Sequence, residues 1–120
     1  MARYRISVIA EQDIEAILRW TQEQFGEQGR LRYEALLIEA ILDIADDPER
    51  TGVRLRPELW PGAFSYHLYF SRNHIASTIE RIRRPRHFLL CRYAETGDLE
   101  IARVLHDSMD LDRHLPWDGE

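Results

Sequence analysis

The fold class is decided by residues 7–48, SVIAEQDIEAILRWTQEQFGEQGRLRYEALLIEAILDIADDP. Apolar side chains recur at helical spacing on both sides of Gly26, with Ser7 placed to cap the first turn. The pattern predicts one helix ending at Gly26 and a second over residues 28–46, stopped by Asp47-Pro48. Because the link between them is short, we expect an antiparallel two-helix hairpin.

The segments flanking this hairpin have strand character. Residues 3–9 begin with a strand pattern, and three further strands are predicted at 63–70, 88–93 and 99–105. The turn sequence Glu95-Thr-Gly-Asp98 makes the last two strands adjacent and antiparallel. The expected fold is therefore α+β: an N-terminal strand and an antiparallel two-helix hairpin packed on a small antiparallel sheet, in the order β-α-α-β-β-β.

The remaining segments carry weaker signals. Residues Ser71 to His87 are predicted to be mostly loop, and Asp110 to Leu115 to form a short helical turn before Pro116. With 120 residues and a mass of 14.2 kDa, the chain has the length of one domain, covering residues 1–120.

Composition indicates a soluble, cytoplasmic protein. Hydrophobic residues make up 44% of the chain, but no apolar run approaches the roughly 20 residues that cross a bilayer. The N-terminus lacks the apolar stretch of a signal peptide. The single cysteine, Cys91, excludes an internal disulfide, as expected in a reducing compartment. We therefore expect no membrane association.

Charge is distributed unevenly along the chain. All 16 basic residues are arginines, and the formal net charge is −5. Residues 51–92 carry eight arginines and two acids, whereas residues 93–120 carry two arginines and eight acids. The arginine cluster from Arg81 to Arg86 is open to three interpretations: a solvated loop, a phosphate-binding patch, or a docking site for an acidic protein segment.

No motif for metal or cofactor chemistry is present. The five histidines include no pair at i,i+4 on a predicted helix, and the glycines form no phosphate-binding loop. We therefore expect neither a metal nor a cofactor. Arg103 lies, by strand alternation, on the face that carries Ile101 and Leu105, where its structural role would be to neutralise an acid on a neighbouring element.

Four segments, taken in order, resemble a known family. They are Ala10-Glu-Gln-Asp-Ile-Glu-Ala-Ile17, Asp47-Pro-Glu-Arg-Thr-Gly52, Pro61-Gly62, and Ile101-Ala-Arg-Val-Leu-His106 with Met109-Asp110 and Arg113-His-Leu115 after it. This arrangement resembles the ParE branch of the RelE/ParE toxins of bacterial toxin–antitoxin modules. The chain departs from the family pattern at residues 71–87, where the family has a shorter turn.

The resemblance implies a small toxin neutralised by an antitoxin encoded beside it. ParE relatives inhibit DNA gyrase, whereas RelE relatives cut messenger RNA on the ribosome. Because the chain is acidic and has no lysine, we favour gyrase inhibition by protein–protein binding, without catalysis. The alternatives are a RelE-like mRNA endonuclease, with Arg56, Arg103 and His106 as catalytic residues, and a non-toxic member that retains only antitoxin binding.

The resemblance also suggests which residues meet each partner. The expected target-binding residues are Arg103, His106, Met109, Asp110 and Arg113. The expected antitoxin is ParD-like and contains a ribbon-helix-helix part. The module would contact DNA only through this part. The antitoxin tail would meet four apolar or aromatic residues and six arginines: Trp20, Phe25, Tyr33, Leu37, Arg54, Arg56, Arg81, Arg83, Arg84 and Arg86.

Overall fold

The computed structural model describes residues 3–74, 82 and 84–108. One helix, α1 (Val8–Asp46), packs on five strands: β1 (Tyr4–Ile6), β2 (Val53–Leu55), β3 (Phe64–His67), β4 (His87–Tyr93) and β5 (Leu99–His106). A 3-10 turn at Leu68–Ser71 follows β3. The sheet order is β1-β5-β4-β3-β2, and β1 runs parallel to β5 while all other pairs are antiparallel.

The predicted two-helix hairpin on a small antiparallel sheet is wrong. Residues 8–46 form one helix without a connecting loop, and the five-stranded sheet is mixed. Only Gly26 leaves the helical region, with φ 78° and ψ −177°, and this kinks the helix. A straight helix of 39 residues would be about 58 Å long, more than the 42 Å longest extent of the structure. The helix therefore bends at Gly26, and both of its arms cover the sheet.

The parallel pairing of β1 and β5 follows from the position of α1. Ser7 ends β1, donating its backbone N–H to Ile101 O (3.0 Å), and its hydroxyl accepts the Ala10 N–H (3.0 Å), which confirms the predicted cap. The same hydroxyl donates to Ala102 O at 2.8 Å. One side chain thus starts α1 and fixes that start to β5.

The sheet is buried on both faces. The larger cluster lies between the sheet and α1, and combines both arms of the helix with side chains such as Tyr66, Leu89 and Ile101. A smaller cluster covers part of the opposite face and comprises Leu59, Ala63, Phe88, Leu90, Ala102 and Leu105, with Trp60 packed against it. The sheet therefore forms the middle layer of the domain.

Several local predictions can be compared with the structure. The strand predicted at 63–70 ends at His67, whose Nδ1 accepts the Tyr69 N–H (3.1 Å) and starts the 3-10 turn. The turn before β5 is confirmed by the hydrogen bond from Ala94 N to Asp98 O (2.8 Å). The short strand β2 was not predicted. The predicted turn at residues 110–115, and residues 75–81 and 83 of the predicted loop, lie outside the described residues. Within the described residues, no helix has the length and apolarity to cross a membrane.

Candidate functional site

A β-bulge in β5 determines where Arg103 points. Leu90 pairs with Arg103 and Cys91 with Ile101, so Ala102 is the extra residue in β5. A bulge shifts the alternation of side chains by one residue. As a result Ile101 packs in the cluster under α1 and Leu105 in the cluster on the opposite face, and the prediction that these two residues share a face is wrong.

Arg103 is bound by Asp13 of α1. Its Nε donates to Asp13 Oδ2 at 2.8 Å and its Nη2 to Oδ1 at 3.0 Å, a bidentate pair. The backbone N–H of Val104 donates to the same carboxylate at 3.0 Å. The Arg103 and Asp13 side chains are only 18% and 15% exposed. This ion pair matches the structural role that the sequence suggested for Arg103, the neutralisation of an acid on a neighbouring element. Binding of Arg103 to a target stays a prediction.

Asp107, directly after β5, is hydrogen-bonded to Arg86 and His67 at the ends of three strands. Arg86 donates to it through Nε (3.0 Å) and Nη2 (2.9 Å), which lowers the pKa of the Asp107 carboxyl. His67 Nε2 lies 3.1 Å from Asp107 Oδ2 and donates to it, because His67 Nδ1 already accepts from Tyr69 N. Arg86, an expected antitoxin contact, is therefore neutralised within the chain.

His87 follows Arg86 in the chain, and its imidazole ring is neutral. The Tyr33 hydroxyl accepts the Arg86 backbone N–H (3.3 Å) and donates to His87 Nδ1 (2.6 Å). Burial lowers the pKa of His87 to about 4, and the neighbouring His106, whose ring centroid is 5.3 Å away, adds to that shift. Burial also raises the pKa of Tyr33 to about 12. This histidine carries no charge at neutral pH.

A cleft of about 500 Å³ opens on the sheet face away from α1. It is lined by Gly52, Arg54, Arg56, Ser65, His67, Tyr69, Phe70, Phe88 and Asp107. Arg56 donates to Glu58 at 2.9 Å, and no ion pair of Arg54 is found among the described residues. The Arg72 guanidinium lies 3.5 Å from the centre of the Tyr69 ring at the rim. The cleft therefore combines two arginines and three aromatic rings with the carboxylate of Asp107.

The four apolar or aromatic residues expected to bind the antitoxin separate into two groups. Trp20 and Phe25 are 55% and 67% exposed, and their rings meet edge-to-face at 6.0 Å beside the kink of α1. Tyr33 and Leu37 are buried in the core under α1. An exposed aromatic pair is an ordinary feature of contact surfaces, so the first group is accessible to a partner and the second is not.

The other expected site residues are placed as follows. Arg84 is exposed, and His106 is half-buried, with its Nδ1 accepting from the Ser108 hydroxyl (2.7 Å). Arg81, Arg83, Met109, Asp110 and Arg113 lie outside the described residues. Sequence reasoning did not assign site contacts to Asp13, His67 and Asp107, since their partners are far along the chain. The one available signal was the position of Asp13 inside the first family-like segment, Ala10–Ile17.

Comparison with known families agrees with this architecture. The family model described as ParE toxin of the type II toxin–antitoxin system parDE matches residues 4–111, which include α1 and all five strands. The chain belongs to the ParE toxin family. This ParE-family chain is thus the toxin component of a type II module, and its partner is an antitoxin. No curated protein matches the chain at a significant level.

Proposed function

We propose that this ParE-family toxin inhibits DNA gyrase in the cytoplasm by protein–protein binding. A ParD-like ribbon-helix-helix antitoxin neutralises it, and the module contacts DNA only through that antitoxin. The family match supports the module, and the net charge of −5 disfavours a polyanionic target such as the ribosome.

The observation that carries the choice of a protein target is the pairing of the sheet arginines. Arg5 and Arg92 both donate to Glu100, each at 3.1 Å. Arg86 and Arg103 each form a bidentate pair with an aspartate, and Arg56 pairs with Glu58. Cutting RNA needs cations that are available to hold a phosphate and stabilise its developing charge. Much of the positive charge on this sheet is instead paired with acidic side chains of the same chain.

The positions of the residues expected to form a nuclease site support the same choice. Arg56 lines the cleft on the face away from α1, whereas Arg103 binds Asp13 on α1 itself. One phosphodiester group needs its binding and proton-transfer residues within hydrogen-bond reach of each other. Arg103 is held at the edge of β5 by Asp13, whose carboxylate also accepts the Val104 N–H, and a mechanism that uses both arginines on one phosphate would have to break this pair.

The antitoxin surface includes two features of the described chain. Trp20 and Phe25 offer an exposed aromatic pair to an apolar helix. The edge strand β2, with Leu55 exposed, pairs on one side only among the described residues, so an extended segment could pair on its other side, and Arg54 next to Leu55 would attract acidic groups. Exposure at these positions makes them suitable contacts for a disordered antitoxin tail.

Three assays on the purified full chain test the proposal. We expect inhibition of gyrase supercoiling with accumulation of linear, gyrase-trapped DNA, and no cuts in mRNA during reconstituted translation. Ribosome-dependent cuts with normal supercoiling would replace gyrase inhibition with the nuclease alternative. Tight antitoxin binding without either effect, together with unimpaired growth on expression of the toxin alone, would show a non-toxic member.

The antitoxin contact is tested separately. The variant Trp20→Ala/Phe25→Ala should keep its activity on gyrase but bind the antitoxin at least tenfold more weakly, since aromatic residues dominate interface energies. Val8→Ala removes apolar surface from an equally exposed position of α1 and serves as the matched control. Unchanged antitoxin affinity in the double variant would exclude this surface.

A further inference from the structure

Three side chains with metal-binding atoms meet where α1 contacts the segment after the 3-10 turn. Glu39 and Asp43 lie one helical turn apart on α1, and His74 approaches them from that segment. One ligand atom of each residue lies within 4.8 Å of the other two. We propose that Glu39, Asp43 and His74 bind a divalent transition-metal ion of the Zn²⁺ type.

The donor set selects the kind of ion. Two carboxylates and one imidazole match the oxygen and nitrogen ligands of Zn²⁺, whose bonds to them are about 2.0–2.2 Å long. Mg²⁺ prefers oxygen ligands and retains its waters, so the imidazole favours a transition metal. His74 is exposed, which leaves room for water at the remaining coordination position. The three ligand atoms would have to move closer together to bind one ion.

The present contacts around His74 are mutually incompatible. Its Nδ1 lies 3.0 Å from Asp43 Oδ2 and 3.4 Å from Arg50 Nη2. One ring nitrogen cannot donate to the carboxylate and accept from the guanidinium in the same tautomer. An ion at this point would accept the Nδ1 lone pair and balance the carboxylates, which removes the conflict.

Arg50 pairs with Asp43 and would compete with the ion for the Asp43 carboxylate. Its Nη1 lies 3.2 Å from Asp43 Oδ2, while its Nε is buried without a hydrogen-bond partner. The hydrogen-bond donors of the guanidinium are thus only partly satisfied. The guanidinium also lies 5.7 Å from the centre of the Tyr66 ring, and it can keep this contact when it leaves Asp43. This competition gives the proposal a directional test, because removing Arg50 should improve metal binding.

The orientation of the Asp43 carboxylate is also fixed by a hydrogen bond from Ser71. The Ser71 hydroxyl donates to Asp43 Oδ2 at 2.6 Å and thus accepts from the Tyr66 hydroxyl at 2.7 Å. Such outer contacts fix the direction of a ligating carboxylate. None of the three proposed ligands lines the cleft, so the site is distinct from it and does not depend on the proposed gyrase inhibition.

The test is titration of the metal-free full-length toxin with Zn²⁺, by calorimetry and by competition with a chromogenic chelator. We expect saturable binding of one ion, no comparable binding of Mg²⁺, and a Co²⁺ complex with visible absorption bands. Glu39→Gln and His74→Gln should each weaken Zn²⁺ binding at least tenfold, whereas Arg50→Gln should strengthen it. Circular dichroism verifies that each variant is folded.

Two control variants make the result specific. Glu27→Gln removes an exposed acid from the same helix, and His67→Gln removes a histidine outside the proposed site. Both should bind Zn²⁺ as tightly as the unmodified chain. Absence of saturable binding, equal losses in the controls, or weaker binding by Arg50→Gln would overturn the proposal.

Discussion

Removing the Asp13 carboxylate should destabilise the fold through the charge that it leaves behind. In Asp13→Ala, Arg103 loses both of its hydrogen bonds to Asp13 and the Val104 N–H loses its acceptor. Breaking one partner of a buried ion pair costs about 3–5 kcal/mol. Because both side chains retain a little exposure, we expect a loss near the lower limit, about 3 kcal/mol, in the free energy of unfolding.

Urea denaturation of a double-mutant cycle measures this effect. Arg103→Ala should cost a similar amount, and Asp13→Ala/Arg103→Ala should cost clearly less than the sum of the single variants, since no unpaired charge remains. The exposed variant Arg3→Ala is the control and should change the stability by less than about 0.5 kcal/mol. A loss below about 1 kcal/mol in Asp13→Ala, or strict additivity, would refute the reasoning.

Variants at three further positions probe other parts of the chain. The pKa of His87 is lower in the folded than in the unfolded chain, so the contribution of His87 to stability should be constant above pH 6.5 and fall by about 2–3 kcal/mol as the pH drops toward 4. Because the raised pKa of Glu39 acts in the opposite direction over the same range, this contribution is measured as the difference between urea melts of the unmodified chain and of His87→Gln. Gly26→Ala should cost about 1–3 kcal/mol in thermal or urea unfolding, since φ 78° with ψ −177° is a backbone region that only glycine adopts readily, although no atom lies nearby, and Gly26→Asn should cost about the same. Ser7→Ala removes both the cap and the bond to Ala102 O, and should lower the urea midpoint by an amount equivalent to about 1–2 kcal/mol.

Features that depend on neighbouring residues were predictable from the sequence. The Ser7 cap, the turn before β5 and the end of α1 at Asp46 all follow from local backbone preferences. The toxin family followed from short motifs kept in order. Gly26 was predicted to end the first helix, whereas α1 continues through it with a kink. Whether the chain leaves the helix or only bends depends on how its arms pack, which local preferences do not determine.

Features that depend on distant pairing were not predictable. The partners Asp13 and Arg103 are 90 residues apart, and His67 and Asp107 are 40 apart. The parallel β1–β5 pair joins the two ends of the described chain, and the bulge at Ala102 reverses the alternation on which the face of Leu105 was predicted. In each case the deciding energy comes from contacts that form only in the assembled domain.

The pairing of β1 with β5 also affects how the toxin is produced. β5 lies between β1 and β4, so a nascent chain that ends before Leu99 has no partner for its first strand and nothing to bind Asp13. Assembly must therefore wait until the segment through β5 has left the ribosome, because long-range pairs cannot form earlier. Translation products that end before β5 are consequently unable to complete the sheet, and only chains that contain β5 acquire the native toxin surface.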